Sequence, residues 1–437
     1  MNLASMALAR AAGGRPVRVG LIGAGKFGSM FLAQVPTTPG VEVAAIADLE
    51  PARAREACRA VGWDAARIAR TALLGSGEEL CATEGVEVVI EATGHPAAGV
   101  AHALAAIAAR RHVVMVNVEA DALCGPALAR RAREAGVVYS MAYGDQPALI
   151  AELVDWARAA GFIVQAAGKG TRYLPAYHGV TPDDVWAHYG LAPEEARAAG
   201  MNAQMFNSFL DGTKSAIEMA AVANACDLAA PEGGLGFPPC GVDDLAHVLR
   251  PRASGGQVEG QGVVEVVSSL ERDGRPVFRD LRWGVYVVIE APTPYAAACF
   301  RQYGLPTDAT GRFAAMHKPF HLIGMELGIS VLSAALRGEP TGQARRFAAD
   351  AVAVAKRDLA PGETLDGEGG RTVWGRCLPA ARSLAEGALP IGLAHGVRLV
   401  REVGAGALVT RADVEPPAPG AVAELRAETE AMAGAPG

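Results

Sequence analysis

Val17-Arg-Val-Gly-Leu-Ile-Gly-Ala-Gly-Lys-Phe-Gly28 decides how this chain is read. Val17 to Ile22 is an apolar, β-branched run, the composition of a strand buried on both faces. Gly23-x-Gly25-x-x-Gly28 follows without a gap. Gly23 permits a tight turn, Gly25 removes a side chain where a pyrophosphate approaches backbone, and Gly28 lets the next helix pack close to the strand. That helix is predicted from about Lys26 to Val35. The amides of its first residues, Lys26 and Phe27 among them, then face the phosphates. A second apolar run, Val41 to Ala47, ends in Asp48, 20 residues after Gly28. An acid at that distance meets the ribose hydroxyls of a dinucleotide. A glycine-rich turn in some other α/β protein is the competing reading, and the strand, turn, helix, strand, acid order argues against it.

The alternation continues. Gly85 to Gly94 predicts a strand ending in Thr93-Gly94-His95-Pro96. Residues 97–110 read as a helix, and His112 to Asn117 as a strand that runs into Asn117-Val-Glu119-Ala-Asp121. Residues 128–135 are helical, Val137 to Ala142 is a strand, and Gly144-Asp145 closes it. Phe162 to Ala167 is read as the last strand of the same sheet, ending in a Gly168-Lys169-Gly170 loop. Ligands of open parallel sheets sit beyond the carboxyl ends of the strands, which places Thr93 and Gly94 beside the nicotinamide half of a cofactor. Flanking glycines let backbone amides and the Lys169 cation converge on an anion, and a plain loop lysine is an equal alternative.

The 437 residues exceed one core and imply two or three domains. With 51% apolar residues, 20% charged residues and a net charge of −7, the chain has no basic surface for nucleic acid. The most apolar late stretch, Leu322 to Leu336, is too short for a membrane span and contains Glu326. Seven scattered cysteines without a C-x-x-C pair suit a reducing compartment and carry no zinc signature. No signal peptide is evident at the N-terminus, so a cytoplasmic protein is expected.

Further along, Thr181-Pro182-Asp183-Asp184 reads as a helix start with Thr181 as N-cap. Phe206 to Ala225 carries Asp211-Gly-Thr-Lys214 and Glu218, and after Gly212 the spacing is helical. Spacings of three and four place Asp211, Lys214 and Glu218 on one face. The flanking residues are apolar, so the stretch is expected to be buried, with Lys214 between two carboxylates and its proton affinity tunable. A solvated salt-bridge stripe is the bland alternative. Asp243, Asp244 and His247 could be metal ligands on paper, but a solvated helix face is the favoured reading, and no metal site is predicted. Residues 315–322 are read as opening a long apolar helix, with His317, Lys318 and His321 at its N-terminus, where anions bind. A histidine held in a domain junction is as good a reading. From about Ala351 the chain turns into a small β module, because Lys356 to Leu365 and Arg401 to Val409 echo one another. Residues 416–437 are read as a proline-led linker and a polar helix.

Together these stretches resemble the homoserine-dehydrogenase-like oxidoreductases that end in a SAF (antifreeze-like) domain, and within them the deoxyxylulose-phosphate reductoisomerase-like group. The resemblance rests on Val17 to Gly28, Glu91 to Gly94, Val116 to Asp121, Gly144-Asp145, Ala167 to Gly170, Thr181 to Asp184, Asp211 to Lys214, Glu218 to Asn224, His317 to Leu322 and Lys356 to Leu365, in one order over nearly the whole chain. It implies a Rossmann doubly wound parallel sheet (1–165), a second α/β catalytic domain (166–345), a SAF-like β module with its tail (346–437), and a homo-oligomer. Lys214 with Asp211 resembles the lysine and aspartate on the inter-domain helix of homoserine dehydrogenases, at a spacing of three where that family has four. Asp48 stands where reductoisomerase-like members carry a small or basic residue. A carboxylate repels a 2′-phosphate, which favours NAD, while Arg53 and Arg55 keep NADP open.

The expected activity is NAD(P)-dependent hydride transfer to or from a small polyol, sugar acid or sugar phosphate, with or without coupled isomerisation. Lys214 moves the hydroxyl proton and Asp211 orients it. Asn117 and Glu119 border the nicotinamide and the reacting carbon. Lys169, His317 and Lys318 hold an anionic substrate group, Lys169 also counting among the catalytic residues. A sensor that binds NAD(H) without turnover is the alternative.

Overall fold

The computed structural model describes residues 2–434. The polypeptide divides into two compact units, and neither is continuous in sequence. One comprises Met1–Glu152, His321–Arg345 and Gly420–Ala431, and the other comprises Leu153–Phe320, Arg346–Pro419 and the last residues from Met432.

The first unit is built on six parallel strands: β1 (Val17–Ile22), β2 (Val41–Ala47), β3 (Ala72–Leu74), β4 (Val88–Glu91), β5 (His112–Met115) and β6 (Tyr139–Met141). Their spatial order, β3-β2-β1-β4-β5-β6, is that of a doubly wound nucleotide-binding sheet. Val17, Val19, Leu21, Ile46, Ile90 and Val114 are buried in one core with Phe31 and Leu32 of the helix Lys26–Gln34. The helix Gly328–Arg337 adds Val331 and Leu332 to the same core. At the end of the chain, the helix Ala421–Glu430 lies against the helix Val118–Glu134. Glu428 accepts from Arg130 and Arg131, each at 2.6 Å, and the buried Arg426 donates to the Leu123 carbonyl at 3.2 Å.

The second unit holds a four-stranded mixed sheet, β10-β9-β7-β8, from β7 (Ile163–Thr171), β8 (Val263–Ser268), β9 (Val285–Glu290) and β10 (Phe313–Lys318). Two readings of the sequence are corrected here. The run from Phe162 is not a last strand of the nucleotide-binding sheet, and Gly168-Lys169-Gly170 is not a loop: all three residues lie inside β7. A Cβ on Gly168 would sit 1.7 Å from the Glu265 carbonyl oxygen, and one on Gly170 would sit 2.0 Å from that of Leu281. The glycines serve close backbone packing. Residues 315–318 do not open a helix either. They pair antiparallel with β9, His317 opposite Tyr286 and Lys318 opposite Val285, and the helix starts only at Gly328. Pro319 explains this, since it cannot donate to a helical ladder and pushes the preceding residue to extended backbone.

Two points concern helix ends. The helical spacing expected after Gly212 is the helix Thr213–Cys226, and a separate helix, Ala203–Leu210, precedes it. The helix predicted to begin after Thr181 begins at Val185 with Asp184 as N-cap. The Asp184 carboxylate accepts the Thr181 N–H and hydroxyl at 2.8 and 2.9 Å, so the pair closes the preceding turn.

The helix Thr213–Cys226 lies against β8 and against two strands of a β-rich region, β11 (Ala349–Ala355) and β13 (Val373–Pro379), which pair antiparallel. A second antiparallel pair is β12 (Thr364–Asp366) with β14 (His395–Arg398). The two segments that echo one another in sequence face each other: Leu359 and Val403 exchange both backbone hydrogen bonds, at 2.9 and 3.0 Å.

Within the first unit, Asp121 is an energetic liability. It is 2% exposed; one oxygen accepts the Tyr139 hydroxyl at 2.8 Å and the other has no hydrogen-bond partner. Burial pushes its carboxyl up to about 6, against the Tyr139 hydrogen bond. The folded protein therefore holds this proton to higher pH than the unfolded chain does. The group destabilises the fold progressively as pH rises from about 4 to about 6, by up to about 3 kcal/mol. Asp121→Asn is expected to flatten the fall in stability across that window, measured as urea midpoints at a series of pH values. Identical slopes for the two proteins would mean that folding does not shift the proton affinity of Asp121.

Candidate functional site

In the first unit the glycine turn follows directly from the end of β1. Gly23 has φ 95°, and a Cβ there would lie 2.8 Å from the Ala92 carbonyl oxygen just past β4. A Cβ on Gly28 would lie 2.3 Å from the Gly23 carbonyl oxygen, so turn and helix fit only without side chains. Gly25 differs: nothing lies within 4 Å of its Cβ position. Open space stands over the turn where the helix Lys26–Gln34 presents its first amides, those of Lys26, Phe27 and Gly28, which have no intrahelical acceptor. The arrangement suits an anion. Asp48 sits beside it at the end of β2. One carboxylate oxygen accepts the Ala24 N–H and the other the Glu50 N–H, both at 3.1 Å, and the Arg53 guanidinium lies 3.9 Å away. Each oxygen keeps lone-pair capacity for a hydroxyl.

At the ends of β4 and β5, Thr93 and Gly94 are exposed while Asn117 is 2% exposed. Asn117 caps the helix Val118–Glu134 by accepting the Ala120 N–H at 3.1 Å, donates to the His95 carbonyl at 3.0 Å and reaches the Thr93 hydroxyl at 3.5 Å. Glu119 is buried in the first turn of that helix. Glu91 and His102 were not singled out from sequence. The fully buried Glu91 accepts the Thr93 hydroxyl at 2.5 Å and meets His102 Nδ1 at 3.1 Å. It thereby holds the loop that carries Thr93 and Gly94.

In the second unit the lysines and carboxylates are paired differently from the helix-face expectation. Asp211 is not on the face of Lys214. It ends the helix Ala203–Leu210, Gly212 (φ 93°) turns the chain, and Thr213 begins the next helix. The Asp211 carboxylate accepts the Thr213 N–H at 2.9 Å and the Lys356 ammonium at 2.8 Å. Lys356 also donates to the carbonyls of Val180 and Gly370, both at 2.7 Å, so all three of its N–H bonds are used. Glu218 pairs with Lys169, and the two side chains are 5% and 7% exposed. Lys214 is half-buried at the start of the Thr213–Cys226 helix. His317 and Lys318 are half-buried on β10, and burial lowers the proton affinity of His317, with Arg279 adding to the effect.

Behind Asp211 stands His178, which sequence reasoning missed. Its Nδ1 lies 2.6 Å from the Asp211 carbonyl and its Nε2 lies 2.9 Å from the Tyr173 hydroxyl. A carbonyl only accepts, so Nδ1 carries the proton and Nε2 accepts from the tyrosine. Burial holds this imidazole down at about 4, so it is neutral near pH 7, and its ring stacks on Trp374 at 3.7 Å. Glu265, also missed, accepts backbone N–H groups of Gly236, Phe237 and Val266, and burial pushes its carboxyl up to about 7. Lys356 alone of these had a signal, as the first residue of an echoed segment. Among the described residues no three His, Cys, Asp or Glu side chains are grouped to hold a metal ion, and no helix is long and apolar enough to cross a membrane.

Residues 17–143 match the model of the GFO/IDH/MocA oxidoreductase family, NAD-binding Rossmann fold. Residues 144–327 match the model of the oxidoreductase DRL catalytic domain. The glycine turn and Asp48 thus belong to an NAD-binding Rossmann domain, and NAD(P) is its cofactor. No curated protein matches the chain. Solved structures similar to parts of it include a probable dehydrogenase from Thermotoga maritima (14% identity, TM-score 0.39, 74% of this chain and 90% of that one). Another is DOX-P reductoisomerase in complex with magnesium (15% identity, TM-score 0.35, 49% and 58%). A third is myo-inositol dehydrogenase from Lactobacillus casei with NAD(H) and myo-inositol (16% identity, TM-score 0.28, 39% and 50%). The chain spans about half the length of several of the solved structures it matches.

The Lys356–Asp211 pair yields a test of the second unit. Lys356→Met leaves a buried carboxylate and two carbonyls without their cation, and a loss of about 3–5 kcal/mol in unfolding free energy is expected. Adding Asp211→Asn should restore a substantial part of it. A double variant as unstable as the sum of the two singles would show that the pair is not coupled.

Proposed function

We propose that this chain is an NAD(P)-dependent oxidoreductase moving a hydride between nicotinamide C4 and a carbinol or carbonyl carbon of a small polyol, sugar acid or sugar phosphate. The observation that carries the reading is the open Gly25 turn at the end of β1, beside the Asp48 carboxylate at the end of β2. When bound, the nicotinamide supplies the hydride chemistry. In the first unit the amides after Gly25 would hold the pyrophosphate, and Asp48 would accept ribose hydroxyls. Thr93, Gly94 and Asn117 would border the nicotinamide, and Glu119 would serve the reacting carbon.

In the second unit Lys214 exchanges the hydroxyl proton with the substrate. Asp211 acts on it through Gly212 and Thr213, because its carboxylate fixes the amide that starts the helix. Lys169, His317 and Lys318 provide positive or hydrogen-bonding groups for an anionic substrate. Lys169 is ion-paired with Glu218, so an anion bound there would share this ammonium with a carboxylate. The match of residues 144–327 to an oxidoreductase catalytic domain supports placing the chemistry in this stretch. The reductoisomerase-like and homoserine-dehydrogenase-like readings, the SAF-like identity of the β-rich region and a homo-oligomeric state belong to this proposal.

The reading is tested by mixing the protein with NAD or NADP and a panel of polyols, sugar acids and sugar phosphates and following reduced nicotinamide. Binding of the cofactor without turnover of any substrate, in either direction, would favour the sensor. Asp48→Ser is expected to weaken NAD and relatively improve NADP. Equal affinities for both cofactors, unchanged by the substitution, would remove Asp48 from cofactor choice. Lys214→Ala should lower kcat by about two to four orders of magnitude while cofactor affinity holds. Lys214→Arg should not rescue, since a guanidinium does not release its proton near neutral pH. Near-normal turnover by a folded Lys214→Ala protein would move the proton transfer to Lys169.

A further inference from the structure

At the far end of the Thr213–Cys226 helix from Lys214, the second unit opens a surface cavity of about 650 Å³. Asp227 ends that helix in left-handed backbone (φ 51°, ψ 52°) and lies on the cavity wall. Two arginines reach it. Arg158 donates to the Cys226 carbonyl at 2.6 Å and, more weakly, to that of Asp227 at 3.5 Å. Arg346 meets the Asp227 carboxylate at 2.6 Å through one terminal nitrogen. A guanidinium carries five donors, so both retain N–H groups beyond these bonds.

Capping of the helix accounts for those contacts. It does not account for the space, or for the opposite charge on the same wall. The Glu232 carboxylate lines the cavity and accepts no hydrogen bond among the described residues, and the second oxygen of Asp227 likewise accepts none. The rest of the lining is largely apolar. Phe162 and Ile163 are half-buried there, and Phe162 is held edge-on by Phe300 and tilted against Trp156, at ring distances of 5.5 and 5.7 Å.

Two guanidiniums, two carboxylates and an apolar wall around one space make a charge-balanced site. A simple anion would meet Glu232 and Asp227, and a simple amine would meet Arg158 and Arg346. A ligand carrying both charges on adjacent atoms, with a hydrocarbon group behind them, satisfies every wall. We propose that this cavity binds a small zwitterion, an α-amino acid with an apolar side chain. Its carboxylate lies on the spare N–H groups of Arg158 and Arg346, its ammonium on Glu232 and Asp227, and its side chain on Phe162 and Ile163. Charge-assisted bonds at both ends set the orientation. The cavity shares no residue with the glycine turn and lies at the opposite end of the Thr213–Cys226 helix from Lys214, and the proposal does not rest on the redox reading.

The test is titration calorimetry on the full chain with L-valine, L-leucine and L-phenylalanine, against isocaproate and isoamylamine, which keep the leucine skeleton and one charge each. At least one amino acid is expected to bind, and each singly charged analogue to bind about tenfold more weakly or not at all. Arg158→Gln and Arg346→Gln should each weaken the amino acid about tenfold. Because Arg158 also caps a helix, the discriminating variant is Ala229→Phe. Ala229 is an exposed lining residue whose backbone pairs with Gly262 and Val264, so the new ring fills the space and leaves every charge in place. Loss of binding in Ala229→Phe with an unchanged circular dichroism spectrum supports the site. No binding by any of the three amino acids, equal affinity for isocaproate, or full affinity in Ala229→Phe overturns it.

Discussion

The second unit depends on one buried ion pair. Lys356 comes from the segment after β11, and its three N–H bonds end on Asp211, Val180 and Gly370. Those acceptors belong to three separate stretches of chain. An ammonium so enclosed cannot be left half-satisfied, because a buried charge without partners costs several kcal/mol. The β-rich region, the loop before Val185 and the junction between two helices are therefore locked to one another by a single nitrogen. Asp211 passes this on. Its carboxylate fixes the Thr213 amide and its carbonyl takes the His178 proton, so the turn that delivers Lys214 is held by side chain and main chain together.

The two units use charge in different ways. The nucleotide-binding unit leaves its functional surface to backbone: amides at a helix start, a glycine with open space over it, and one carboxylate tied to the turn it serves. That design tolerates little change in the turn and much change around it. The second unit buries its charges. Lys169 faces Glu218, Lys356 faces Asp211, and Glu265 is held by three backbone amides. Buried charge fixes geometry at an energetic cost. The elevated proton affinity of Glu265 is that cost expressed as pH dependence.

Much of the first unit was legible in the sequence because its signals are local. β1, β2, β4 and β5 are apolar runs long enough to identify alone, and the glycine spacing with Asp48 follows from what a turn and a phosphate require. The β-rich region was legible for the same kind of reason, and its two echoed segments turn out to pair. Local reasoning failed where partner and context decide. Ala315 to Lys318 precedes Pro319, which bars a helix there, and pairing with β9 makes the run a strand. Phe162 to Ala167 was correctly a strand, but nothing within it names the sheet it joins.

What the sequence determined by itself was the strands of the nucleotide-binding sheet whose apolar runs stand alone, and the chemistry of the nucleotide turn. What only the tertiary structure decided was which cation faces which carboxylate. Spacing along a helix pointed to Lys214 for both Asp211 and Glu218. In the folded chain Asp211 takes Lys356, 145 positions away, and Glu218 takes Lys169, 49 positions away. Periodicity describes neighbours along one helix, while charge pairing in a low-dielectric interior is won by whichever opposite charge the packing of other elements brings within about 3 Å.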